Sequence, residues 1–181
     1  ADKIKSDSKE AIRELHAHGV SEIVLLSGDN AGITRQVGVE VGVDRSLGEL
    51  LPHDKVSHLE FLMKEKDRTV CFVGDGINDA PVLSLSDVGV AMGAMGADMA
   101  IEVADVVIQT DQLSKLIQAK KIAKATRNIV FQNIALAISI KCLVLLLGTF
   151  GVATMWEAVL ADVGVTILAV LNAIRILYKR Y

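Results

Sequence analysis

Two apolar stretches near the C-terminal end constrain this chain more than any other feature. Residues 134–153, IALAISIKCLVLLLGTFGVA, are 20 consecutive residues with one charge, Lys141. Residues 158–174, AVLADVGVTILAVLNAI, are 17 residues with one charge, Asp162. At about 1.5 Å per residue a 20-residue helix crosses the roughly 30 Å hydrocarbon core of a bilayer. The second stretch is at the short end of that range, and Trp156 extends it as an interfacial anchor. The link around Thr154 to Glu157 is short, so the two helices are predicted to form an antiparallel transmembrane hairpin over 134–177, with spans of 134–153 and 156–177.

Flanking charge orients the hairpin. Lys120, Lys121, Lys124 and Arg127 precede it, Arg175, Lys179 and Arg180 follow it, and the connecting loop has no basic residue. By the positive-inside rule both ends are cytoplasmic, including the tail 178–181. A buried hairpin in a soluble domain would leave that asymmetry a coincidence. Lys141 and Asp162 each cost about 2.5–3.5 kcal/mol at the centre of a membrane helix. Such residues face a bundle interior or a water-filled path, which points to transport. Mutual neutralisation across the hairpin is the other reading, and the sequence leaves both open. Asp162 shares a face with the small or polar residues Ala158, Thr166, Ala169 and Ala173, suited to close helix packing, and Asn172 lies near that face.

The rest of the chain has a different character. Residues 132–181 carry four basic and two acidic residues, whereas residues 1–131 carry 15 basic and 20 acidic. The overall net charge of -3 argues against nucleic-acid binding, which needs a basic patch. Two cysteines exclude a disulfide scaffold.

Residues 1–111 alternate helical and strand patterns. A helix is predicted over Asp7 to His18, one weakened by glycines over Ile33 to Val41, and another over Asp54 to Lys66. Strands are predicted at 22–26 (EIVLL), 69–73 (TVCFV), 88–92 and 106–108. This order predicts an α/β fold with a mostly parallel, Rossmann-like sheet. The run GAMGADMA reads as a flexible loop, and residues 112–133 as a stalk helix leading to the first span.

In parallel sheets ligands bind at the carboxyl ends of the strands. Two acidic, glycine-bearing loops fall there: Ser27-Gly28-Asp29-Asn30 and Gly74-Asp75-Gly76-Ile77-Asn78-Asp79-Ala80-Pro81. Asp75 and Asp79 with Asn78 make a hard-oxygen set suited to Mg²⁺ holding phosphate oxygens. The hydroxyl of Ser27 and the backbone N–H groups after it are able to hydrogen-bond a phosphoryl oxygen. Lys55, near the start of a helix, is able to neutralise developing phosphoryl charge. Taken singly, Ser-Gly-Asp is more often a plain turn, and a lysine after Pro-x-Asp a solvated first-turn residue.

Together, VGDGINDAPVL, SGDN and Pro52-His53-Asp54-Lys55 resemble the phosphorylation domain of a P-type ATPase, within the haloacid-dehalogenase group. The stretch DVGVAMGAMGADMAIEVADVVI and the Gln132-Asn133-Ile134 entry to the first span are similar too. The hairpin resembles the last two spans of the heavy-metal subgroup that exports Zn²⁺, Cd²⁺ and Pb²⁺. SGDN departs from the usual Thr-Gly-Asp but keeps the hydroxyl. The resemblance implies ATP as substrate, bound mainly by a domain outside these residues. It implies that Asp75 holds Mg²⁺, with Asn78 and Asp79 ordering that site. Ser27, Gly28 and Lys55 contact the phosphoryl group, and Asp29 belongs to the same catalytic loop. Asp162 becomes a ligand of the transported ion, and Lys141 a nearby countercharge that aids release. It also implies a multi-pass protein of the plasma membrane.

The Asp-Lys-Thr-Gly phosphorylation motif, the Thr-Gly-Glu loop and the Cys-Pro-Cys helix of that family are not in this sequence; Asp2-Lys3 continues as Ile4-Lys5. The sheet is therefore expected to be incomplete, with an open edge, and the chain to be the C-terminal part of a larger pump, inactive alone. A non-catalytic membrane subunit and a membrane-tethered phosphatase of the same group are the alternatives.

Overall fold

The computed structural model describes residues 4, 7–65, 68–74, 77–93, 98–110 and 112–179. Asp75, Gly76, Arg180 and residues 94–97 within GAMGADMA lie outside them. The chain divides into two compact units, Ala1–Ile117 and Gln118–Tyr181.

The first unit is α/β. Its elements run α1 (Ser8–Ala17), β1 (Val24–Leu26), α2 (Ala31–Val41), β2 (Arg45–Leu47), α3 (Pro52–Met63), β3 (Cys71–Gly74), a 3-10 turn (Ile77–Asp79), α4 (Ala80–Leu85), β4 (Val88–Met92), α5 (Asp98–Val103) and β5 (Val106–Ile108). All the strand pairs are parallel, in two sheets: β1 with β2, and β3-β4-β5. Among the described residues β1 pairs only with β2, and β3 only with β4, so each keeps an unpaired edge.

Two small clusters hold the helices. Ala11, Ile12 and Leu15 recur on one face of α1 and pack with Ile117, backed by Val20, Ile23, Val43, Leu113 and Leu116. Leu83 of α4 packs on Ala91 of β4, with Phe72 and Ala104 beside them.

Several elements differ from the sequence expectation. The three-residue strand β2 was not foreseen, nor were α4 and α5. The end of GAMGADMA, expected to be a loop, opens α5. Of the glycines expected to weaken α2, Gly38 has a packing role. A Cβ on Gly38 would stand 2.8 Å from the Ser46 Cβ, so glycine lets α2 lie against β2. Tertiary contact here overrides helix propensity.

The second unit contains most of α6 (Ser114–Thr149) and all of α7 (Met155–Ile174). Stalk and first span are one uninterrupted helix of 36 residues. Gly151, with φ +70°, turns the chain into the link, and the Glu157 carboxylate accepts the Thr154 N–H at 2.7 Å to begin α7. Both helices are long and apolar enough to cross a membrane, with mean hydropathies of 2.2 and 1.8.

Gly89 sits where a Cβ would meet the Leu83 backbone carbonyl oxygen at 2.5 Å. Backbone cannot swing aside as a side chain does, so Gly89→Ala is expected to destabilise the first unit by about 1–3 kcal/mol. Urea unfolding of the chain in detergent measures this, and an unchanged midpoint contradicts it.

Candidate functional site

The carboxyl ends of β1 and β3 carry the two acidic loops. At the first, Ser27 Oγ donates to Asp29 Oδ2 at 2.9 Å and accepts the Asp29 N–H at 3.1 Å. The hydroxyl and N–H expected to face a phosphoryl group are thus joined in a local turn, which a ligand must open. Asn30 caps α2 by accepting the Gly32 N–H at 2.8 Å, and its amide donates to Glu49 at 3.1 Å. Glu49 holds a left-handed φ of 59°. Its N–H donates to the Asp29 carbonyl at 2.6 Å, while that of Leu50 donates to the Ser27 carbonyl at 3.1 Å. These bonds carry the chain past the end of β1 and into α3.

α3 begins at Pro52, whose fixed φ suits the first helical turn. Asp54 accepts the Leu51 N–H at 2.9 Å and closes the helix start. One residue later comes Lys55, whose Nζ lies 2.7 Å from Asp79 Oδ1, with side chains only 16% and 11% exposed. This pair joins the helix after β2 to the loop after β3, and so ties the two sheets at their carboxyl ends. A Cβ on Gly74 would stand 2.9 Å from the Asp79 Cβ, so the glycine admits the carboxylate against the strand end. Asn78 is exposed beside it, and Gly28 and Asp29 are exposed at the first loop.

A second tie spans the opposite ends of the sheets. Glu22 accepts from Arg45 at 3.0 Å and from Arg68 at 2.8 Å. The sequence reading missed this hub, because nothing local marks charges 46 residues apart as partners.

In the second unit Lys141 Nζ lies 3.4 Å from Asp162 Oδ1. The two costly charges therefore face each other across the hairpin. Thr166 donates to the Asp162 carbonyl at 2.9 Å. Asn133, Asn172 and Arg175 form a hydrogen-bonded chain between the same helices; of these the sequence placed only Asn172 near the small-residue face and joined none of them. Among the described residues no three His, Cys, Asp or Glu side chains gather into a metal-binding group.

Comparison with known proteins adds a frame to this geometry. Residues 1–87 match the haloacid dehalogenase-like hydrolase family. Over 177 residues, 97% of this chain, it is 52% identical to the zinc-transporting ATPase of Synechocystis sp. (strain ATCC 27184 / PCC 6803 / Kazusa), covering 24% of that protein. It is 49% identical over 98% of its length to the cadmium, zinc and cobalt-transporting ATPase of Bacillus subtilis (strain 168), covering 26% of that protein. A crystal structure of a zinc-transporting PIB-type ATPase in the E2.Pi state superposes with a TM-score of 0.90 over 97% of this chain and 28% of that one, at 39% identity. The chain belongs to the heavy-metal P-type ATPase family. It spans about a quarter of the length of the curated relatives it matches. In this ATPase segment the likeness runs through both units, the hydrolase-like sheets and the apolar helices alike.

Lys55→Met is expected to leave the Asp79 carboxylate buried without its partner and to destabilise the first unit by about 1–3 kcal/mol. Adding Asp79→Asn removes the orphaned charge and is expected to restore most of the loss. Urea unfolding of both variants checks this. A full effect from K55M that D79N leaves unchanged contradicts it.

Proposed function

We propose that the chain is part of an ATP-driven exporter of divalent heavy-metal ions, Zn²⁺, Cd²⁺ or Pb²⁺, that works through an aspartyl-phosphate formed on an aspartate outside these residues. The observation that carries the reading is the extent of the likeness to metal-transporting ATPases. It covers 97–98% of the chain and includes both units, whereas a phosphatase reading accounts for the first unit only.

The carboxyl edge of the two sheets supplies the phosphoryl chemistry. The free carboxylate of that outside aspartate attacks the γ-phosphorus of ATP, the bond to the β,γ-bridging oxygen breaks, and ADP leaves with the aspartyl-phosphate formed. Water later attacks the aspartyl-phosphate and releases inorganic phosphate. Lys55 places an ammonium beside the transferring group, where it offsets negative charge on the phosphoryl oxygens. Ser27 exchanges its bond to Asp29 for one to a phosphoryl oxygen, and the Gly28 backbone allows close approach. That exchange also frees the Asp29 N–H, which donates to Ser27 Oγ in the closed turn, to donate to the phosphoryl group. The donor set beside β3 is all oxygen, with Asp79 seated against Gly74 and Asn78 exposed, which fits Mg²⁺ and not a soft metal. Asp75 and Asp79, ordered by Asn78, would hold that ion, and it would supply charge neutralisation at the phosphate oxygens.

The apolar helices supply the transport path. They cross the plasma membrane with both ends in the cytoplasm, because the basic residues flank the hairpin and avoid its loop. Asp162 is one ligand of the transported ion. Zinc takes four ligands, so the remaining ones come from other helices of the complete pump. Without the ion, Lys141 keeps Asp162 compensated in a setting where a lone charge costs about 2.5–3.5 kcal/mol. With the ion bound, the same ammonium competes for the carboxylate and lowers the barrier to release. A carboxylate ligand suits Zn²⁺ and disfavours Cu(I), which prefers sulfur.

Replacing Asp162 with Ala in the complete transporter tests the reading. Loss of groups behind the ligands already costs about 10–100-fold, so loss of a direct ligand is expected to reduce zinc-stimulated ATPase activity beyond the upper end of that range. Unchanged stimulation removes Asp162 from the ion site. A further check uses this chain alone with ATP and Mg²⁺: no acyl-phosphate is expected, and its detection places the acceptor aspartate within these residues.

A further inference from the structure

One end of the hairpin carries a polar chain that the ion site does not use. Arg175 Nη1 donates to Asn172 Oδ1 at 2.9 Å. Asn172 Nδ2 donates to Asn133 Oδ1 at 2.9 Å and to Gln132 Oε1 at 3.3 Å. Asn133 Nδ2 donates to the Ala169 carbonyl at 3.1 Å. The direction of this chain is fixed at both ends. A guanidinium only donates and a carbonyl only accepts, so each amide has one satisfying orientation.

We propose that Asn133 and Asn172 are positioning residues, an amide clamp that sets the α6–α7 register and so delivers Lys141 to Asp162. The role of that pair rests on the proposed ion site. Lys141 follows Asn133 by eight residues on α6, and Asp162 precedes Asn172 by ten on α7. Those intervals are about 12 and 15 Å along the axes, so both contacts belong to one antiparallel alignment. The ion pair alone does not define it. A lysine has a flexible four-carbon stem, and a single contact at 3.4 Å survives a slip of one residue. The asparagines are short, and their bonds are directional. A one-residue slip turns each amide by about 100° and breaks the chain. The apolar residues between the clamp and the pair offer no such specificity, since they pack equally against lipid or helix. A buried polar residue that specifies register is a known device in paired helices.

Carbodiimide cross-linking of the full chain in lipid vesicles reads the register without activity. Dicyclohexylcarbodiimide activates the Asp162 carboxylate, the Lys141 amine displaces the urea, and the resulting amide is found by mass spectrometry. The wild type is expected to form it. N172D removes the donors that Asn133 and Gln132 need and is expected to cut the yield at least about fivefold, the shift given by losing two interhelical hydrogen bonds. N133D keeps the acceptor that Asn172 uses but loses the donor to the Ala169 carbonyl, one bond instead of two, and is expected to cut the yield only about two- to threefold. That asymmetry separates a directional clamp from general loosening. Circular dichroism checks that each variant stays helical. If N172D does not insert, N133A gives the same expected loss. Equal yields in wild type, N172D and N133A overturn the clamp, as does no cross-link in the wild type. Whether Asp162 binds the ion is judged separately by D162A in the complete transporter.

Discussion

An ammonium and a carboxylate placed on otherwise apolar helices constrain everything around them. Each is costly alone in hydrocarbon, and their pairing at 3.4 Å removes most of the reason to leave it. The pair therefore compensates both charges where the two helices face each other. In the proposed transport role a divalent ion at Asp162 would upset that balance, because the carboxylate would then have two positive partners.

The same logic operates in the first unit. Among the described residues its two sheets share no backbone ladder; ion pairs tie them at both ends, Lys55–Asp79 at the carboxyl end and Glu22–Arg68 at the amino end. Among the described residues β1 and β3 each have a neighbouring strand on one side only. Lys55 and Asp79 are thus structural partners and, in the proposed chemistry, phosphate-facing groups. Opening that pair for a phosphoryl group changes how the sheets are held, a direct physical route from chemistry to movement within this unit.

Much of this was legible in the sequence because strong local patterns carry it. The helices α6 and α7 announce themselves by length and apolarity, and β4 and β5 by short apolar runs between turns. The loop after β3 is marked by Asn78 and Asp79 beside glycine. Other features had no local signal. β2 is Arg-Ser-Leu, three residues without alternation, and exists because β1 pairs with it. α4 opens at Ala80-Pro81, so close after the acidic loop that it reads as part of it. α2 looked weak for its glycines, yet Gly38 is what lets it approach Ser46. The Asn133–Asn172 contact joins residues 39 apart and becomes visible only when the helices are placed side by side. Periodicity reports burial, and it is silent about which polar groups meet.

Zinc-edge X-ray absorption of the complete transporter loaded with Zn²⁺ tests the central claim most directly: a lipid-embedded carboxylate of this chain holds the transported ion. The account predicts an oxygen ligand at about 2.0–2.2 Å that disappears in Asp162→Asn. An unaltered first coordination shell in that variant contradicts it.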